Sequence, residues 1–299
     1  MSDLSTRDPY SPPLPNPYVY SPEPYRYPEY FDATPPAPPK PKYWLHILLF
    51  ALTAVSTTLI QGWLFSASLL AILTAHEFGH YFAAKYWRVP ATLPYFIPFP
   101  SLFGTMGAFI KMSPRIPHRR ALFDIAAAGP LAGLIVALPV TYIGITLSRI
   151  IPKTAVPENS ISLSEPLLFQ GLSWLALGAQ GDSVEMMLHP LAFAGWAGLF
   201  VTALNLLPIG QLDGGHISQS LFGARSRLVA MAMFAGLLAY SVWDFTPTWI
   251  PLMILLLVFG VKHPRQIDDG LPLGWQRTAL GVLLAVIFFT CFSLSPITF

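Results

Sequence analysis

Residues 64–87 read "LFSASLLAILTAHEFGHYFAAKYW". The stretch has the length and apolarity of a membrane span, for which about 20 residues suffice. Yet it carries His76, Glu77 and His80. A charge held at membrane depth costs a few kcal/mol on insertion, so ionisable groups there mark a functional site by default. On a helix, positions i and i+4 share one face. His76 and His80 can therefore present two imidazoles to one metal ion, with Glu77 projecting beside them. This is the H-E-x-x-H arrangement: two nitrogen ligands for zinc, and a carboxylate able to take a proton from a bound water.

The rest of the chain agrees with a membrane setting. Of 299 residues, 54% are hydrophobic and 11% charged, where a soluble domain carries about 25% charged residues. Mean hydropathy is +0.53. Apolar stretches predict spans at 43–62, 64–86, 120–148, 190–209, 227–243, 249–262 and 277–295. The fold class is an all-α polytopic membrane protein with about 6–7 transmembrane helices. A net charge of +2 is too small to suggest nucleic acid, and the single Cys291 excludes an intramolecular disulfide.

The chain divides into a Pro/Tyr-rich tail, 1–42, and a membrane-embedded part, 43–299. Proline lacks an N–H and clashes with helix, so the tail is expected to be disordered or locally polyproline II. It is a solubilising segment or a docking site for a partner with an aromatic groove. No cleavable signal peptide is read, because residues 1–42 lack an apolar core. Between the second and third spans, "VPATLPYFIPFPSLFGTMGAFIKM" (89–112) is apolar but broken by Pro and Gly. Irregular backbone at membrane depth must pack on protein or line a wet cavity, which predicts a re-entrant loop or hairpin. Residues 151–189 read as a mildly acidic loop.

With the N-terminus cytoplasmic, 15 of the 17 basic residues fall on the inner side, leaving Arg149 and Lys153 outside. Glu158, Glu165, Asp182, Glu185 and Asp244 fall outside as well. The asymmetry is that of the positive-inside rule and puts His76 and His80 in the inner half of their span. The expected location is a bacterial inner membrane, with a chloroplast membrane as the alternative.

A catalytic zinc needs a third protein ligand. Asp124 opens the third span, Asp244 lies on the wrong side, and Asp213 occurs in "TALNLLPIGQLDGGHISQS" (202–220). Asp213 is the best placed in depth. Gly214 and Gly215 permit a close backbone approach, and Pro208 and Gly210 interrupt the helix before it. His216 could reach the same site as a donor behind the ligands, or could simply face a neighbouring helix. His118, His189 and His263 read as interfacial residues. The Asp268–Asp269 pair reads as part of a solvated turn.

"HEFGH" on an early span and "NLLPIGQLDGGH" (205–216) on a later one together resemble the site-2 protease family of intramembrane zinc metalloproteases. The segments "FDIAAAGPLAGL" (123–134) and "LFGTMGAF" (102–109) are similar to further features of that family. The resemblance covers most of 43–223 and implies a three-helix catalytic core there, with 227–295 as accessory helices. It implies one Zn2+ held by His76, His80 and Asp213, with Glu77 as catalytic base and Asn205 holding the substrate backbone or the oxyanion. The glycine-rich hairpin, with Gly104 and Gly107, would pair with an unwound transmembrane substrate as an added strand. No PDZ or nucleotide-sensing domain is found, so the tail and 151–189 remain as the large non-membrane segments. Three other readings compete. A prenyl-protein endopeptidase would use a glutamate as third ligand, a zinc transporter would spread polar ligands along several spans, and a non-catalytic scaffold would have lost Glu77 or a ligand, whereas all four are present.

Overall fold

The computed structural model describes residues 42–114, 116–156, 162–181, 183–243, 249, 253–254 and 272–298. Residues 1–41, the loop at 262–270 and almost all of the span expected at 249–262 lie outside them.

The described residues are mostly helical. Helix α1 (Tyr43–Gln61) and α2 (Trp63–Tyr86) are separated by Gly62 alone. Its φ of +86° is one that only glycine takes without strain. The break lets α1 and α2 pack on one another. Helix α3 (Arg119–Thr146) follows, then α4 (Leu167–Leu177), α5 (Pro190–Leu206), α6 (Asp213–Phe222), α7 (Ser226–Trp243) and α8 (Trp275–Cys291). Among the described residues, three helical stretches are long and apolar enough to cross a membrane: Tyr43–Gln61, Arg119–Thr146 and Asp213–Trp243. Helix α2 is 24 residues long, but His76, Glu77 and His80 dilute its apolarity. Helices α5 and α8 have 17 residues each and stop short of the expected spans 190–209 and 277–295.

Helix α3 is the centre. It packs on α2, α5 and α6, and small residues set how closely. A methyl group added at Gly79 of α2 would come 2.5 Å from the Ala128 carbonyl oxygen of α3. Gly144 of α3 lies against the main chain of Ala192, and Gly195 of α5 against Thr141. Helices in lipid gain little from apolar burial, so small residues that admit close backbone approach carry their association. Larger side chains such as Phe65, Leu69, Ile72, Trp196 and Leu199 fill the remaining space.

The 89–112 segment forms the expected hairpin. Strands β1 (Tyr95–Pro98) and β2 (Thr105–Phe109) pair antiparallel, Tyr95 opposite Phe109 and Ile97 opposite Gly107, with an irregularity at Ile97/Pro98. Strand β1 rests on α1: His46 Nδ1 lies 3.0 Å from the Pro94 carbonyl oxygen, and Phe50 meets Phe96 edge-on.

The 151–189 segment is more than a loop, which corrects the sequence reading. Strands β3 (Arg149–Pro152) and β5 (Val184–Met187) pair antiparallel, and β4 (Ser162–Leu163) pairs with β6 (Ile297–Thr298) near the C-terminus. Helix α4 lies between, closed by Gly178 at φ +73°. His118 and His189 are also more than interfacial. Each caps a helix, the His118 ring accepting from the Ala121 N–H of α3 and the His189 ring from the Leu191 N–H of α5.

Candidate metal centre

His76, Glu77 and His80 lie in the second half of α2, each at most 6% exposed. Asp213 reaches them from α6. Pro208 cannot continue α5, whose last residue is Leu206, and a tight turn delivers Asp213 as the first residue of α6. Gly214 lies directly on the main chain of Leu206 and Leu207, and Gly215 comes close to the Gly210 carbonyl. Any side chain at 214 or 215 would push Asp213 away from α2. This is the physical content of "DGG".

His76 Nε2 and His80 Nε2 are 3.0 Å apart, and Asp213 Oδ2 is 3.4 Å from the first and 3.2 Å from the second. A tetrahedral zinc with bonds of about 2.0–2.1 Å separates its ligand atoms by about 3.3 Å. The triangle therefore has the size of one face of such a tetrahedron, and its two nitrogens and one oxygen are a zinc donor set. Three protein ligands are the number a catalytic zinc takes. Among the described residues this is the group of His, Cys, Asp and Glu side chains gathered closely enough to hold a metal.

The surroundings orient the ligands. His80 Nδ1 donates to the Ile125 carbonyl of α3 at 2.8 Å, which leaves the Nε2 lone pair facing the centre of the triangle. Gly129 and Gly133, one turn apart on α3, lie against the His80 and His76 side chains. The Glu77 carboxylate sits beside the triangle and takes a main-chain hydrogen bond from Ile110, just beyond β2. Asn205, near the end of α5, brings its Nδ2 to 3.2 Å from His76 Nε2.

The remaining expected site residues fall in different places. Asp124, a rival third ligand, is held elsewhere by a two-pronged ion pair with Arg277 at 2.8 Å and a hydrogen bond from Trp87 Nε1. His216 lies one turn into α6 with its Nδ1 buried and unpartnered among the described residues. Gly104 (φ +76°) is pressed against the main chain of Thr57 on α1, whereas Gly107 (φ +103°) has open space beside it. The sequence marks 123–134 as a family-like segment but gives no role to Ile125, Gly129 or Gly133 within it, and none to Ile110. The glycine pair leaves a signal, as glycines four apart in "AAAGPLAG".

The family model described as Peptidase family M50 matches residues 64–241, the stretch that holds His76, Glu77, His80, Asn205 and Asp213. The chain belongs to the M50, or site-2 protease, family. It is 34% identical over 237 residues to "Probable zinc metalloprotease EGY1, chloroplastic" of Oryza sativa subsp. japonica, covering 74% of this chain and 39% of that protein. To the Arabidopsis thaliana protein of the same description it is 32% identical over 234 residues, 74% of this chain and 41% of the other. To "Probable zinc metalloprotease EGY2, chloroplastic" of Oryza sativa subsp. indica it is 32% identical over 224 residues, 73% and 40%. The chain thus spans about two fifths of the length of these relatives. No solved structure matches it.

Proposed function

We propose that this M50 chain is an intramembrane zinc metalloprotease, hydrolysing a peptide bond in or near a transmembrane segment of a membrane protein. The observation that carries the reading is the His76–His80–Asp213 triangle with the Glu77 carboxylate beside it. An aspartate completes the triangle, which favours this reading over a prenyl-protein endopeptidase with its third glutamate. The clustering of the ligands at one point argues against a transport path.

His76, His80 and Asp213 would hold the metal, which when bound supplies Lewis-acid polarisation of the scissile carbonyl and acidifies a water. Glu77 accepts the water proton and returns it to the leaving amine. Its hydrogen bond from Ile110 keeps the carboxylate aimed at the triangle. Asn205 donates from Nδ2 to the oxygen that gains charge. A peptide bond inside a transmembrane helix is shielded by its own hydrogen bonds, so the substrate must unwind; the edge of β2 away from β1, paired with no other described strand, offers backbone groups for it to pair with. Gly104, spent on α1, holds the turn. The basic flanks support an orientation with the metal end on the cytoplasmic or stromal face. Bacterial inner membranes and chloroplast membranes, the latter in keeping with the relatives' names, both have such a face.

The test is cleavage of a single-span reporter in proteoliposomes by wild-type and Glu77→Gln protein. The variant is expected to keep its zinc and to lose at least about a hundredfold in rate. Normal cleavage by Glu77→Gln would remove the assignment.

A further inference from the structure

A cavity of about 720 Å³ lies away from the metal triangle, lined by described residues within 151–156, 162–169 and 185–188, by Leu102 of the hairpin and by the start of α5. Its volume is that of a ligand site rather than a packing defect. One wall is apolar and aromatic, with Phe169, Phe193 and Trp196. Trp196 is locked in place by its Nε1–H bond to the Ser164 carbonyl at 2.7 Å. Glu165, Glu185 and Lys153 also line it. No ion pair between described residues involves either carboxylate. Burial and the neighbouring Glu185 carboxylate hold Glu165 above the usual carboxylate range, a like-charge strain that a cation would relieve.

Two structural rulers connect this cavity to the metal triangle. Along α5, Pro190 and Trp196 line the cavity and Asn205 stands at the triangle; at 1.5 Å per residue the separation is about 14–22 Å. Along the hairpin, Leu102 lines the cavity, with its carbonyl held by Gln61 Nε2 at 2.8 Å. Strand β2 then runs from Thr105 to Phe109, and Ile110 meets Glu77, about 17 Å from Thr105 at strand rise. A peptide laid along β2 with its scissile bond at the triangle would end in the cavity.

We infer that the cavity is a subsite for the substrate's flank, seating an apolar residue and a Lys or Arg about 4–7 residues from the cleaved bond. This rests on the protease reading. Two carboxylates against one lysine select a cationic side chain, and the aromatic wall takes the apolar neighbour. The cavity discriminates among substrates at a point remote from the chemistry.

The experiment uses the full chain in proteoliposomes and a single-span reporter carrying lysines 4–7 residues from the cleaved bond on the cavity side. Charge reversal with Glu165→Lys and Glu185→Lys is expected to raise KM about tenfold with kcat nearly unchanged. A reporter whose lysines are replaced by glutamate should regain the lower KM on this variant. In Glu77→Gln protein, a photoreactive phenylalanine analogue at Met187 should crosslink to those reporter positions. Crosslinks to lipid alone would overturn the subsite. So would an unchanged KM in the charge-reversed chain while Glu77→Gln abolishes cleavage, an outcome that leaves the protease reading standing.

Discussion

His80 Nδ1 lies 2.8 Å from the carbonyl oxygen of Ile125, a residue of the neighbouring helix α3. A carbonyl has two lone pairs, so Ile125 can serve its own helix and this ring together. The bond fixes the tautomer of His80 and turns Nε2 toward His76 and Asp213. The direction of one metal ligand is thus set by the α2–α3 contact, and whatever spreads these helices should unmake the site.

Gly129→Ala supplies that perturbation. A methyl group at 129 falls on the His80 imidazole, so the ring or α3 must move. Zinc affinity is expected to fall about 10–100-fold, the range seen when a ligand's supporting bond is lost. Gly171→Ala, in open space on α4, is the control and should keep its metal. Elemental analysis of the two purified proteins checks this; equal zinc contents would mean that the α2–α3 contact does not orient His80.

The two candidate aspartates should part company. Asp213→Ala removes a corner of the triangle, and zinc should be lost along with activity. Asp124→Ala breaks the pair with Arg277, in which both side chains are under one-third exposed. It should keep zinc and cost about 1 kcal/mol of stability, read as a fall of a few degrees in Tm. Chelation of the wild-type protein should abolish cleavage and added zinc restore it. Zinc retained in Asp213→Ala would disqualify it as a ligand.

His76, Glu77, His80 and Asp213 were legible because each breaks a local rule: an ionisable group inside an apolar span, or glycines following a proline that ends a helix. The hairpin was legible for the same reason, as Pro and Gly interrupt its apolar run. Helix α4 was missed although "PLLFQGLSWLALG" (166–178) has helical apolar content and a terminal glycine, because the acidic residues around it suggested a loop. The bond from His80 to Ile125 could not be read, since any residue type supplies a carbonyl. Nor could the roles of His118 and His189 as caps, because histidine is an uncommon one.

The two hairpin glycines should respond differently. Both have positive φ, so alanine at either is strained by roughly 1 kcal/mol. At Gly104 the methyl group would also meet the Thr57 main chain at 2.6 Å, and α1 would have to move off the turn. Gly104→Ala should therefore lower Tm by clearly more than Gly107→Ala. Gly107→Ala should instead raise the KM of a transmembrane reporter, because it crowds the edge offered to substrate. Equal losses of stability, with no change in KM for Gly107→Ala, would count against the pairing role.

Asn205 offers the sharpest separation between holding metal and doing chemistry. Its Nδ2 is 3.2 Å from His76 Nε2, yet an amide nitrogen carries no lone pair for a metal. When the imidazole lone pair is committed to zinc, that N–H can turn to an oxygen gaining charge. Asn205→Ala is expected to keep full zinc content and lose about 10²–10³ in kcat, the usual cost of one such donor. Asn205→Asp removes the donor and adds a carboxylate beside the triangle. It should bind zinc at least as tightly and be no more active than the alanine variant. Activity of Asn205→Asp near wild type would show that donation from this side chain is not part of the reaction, whatever its zinc content.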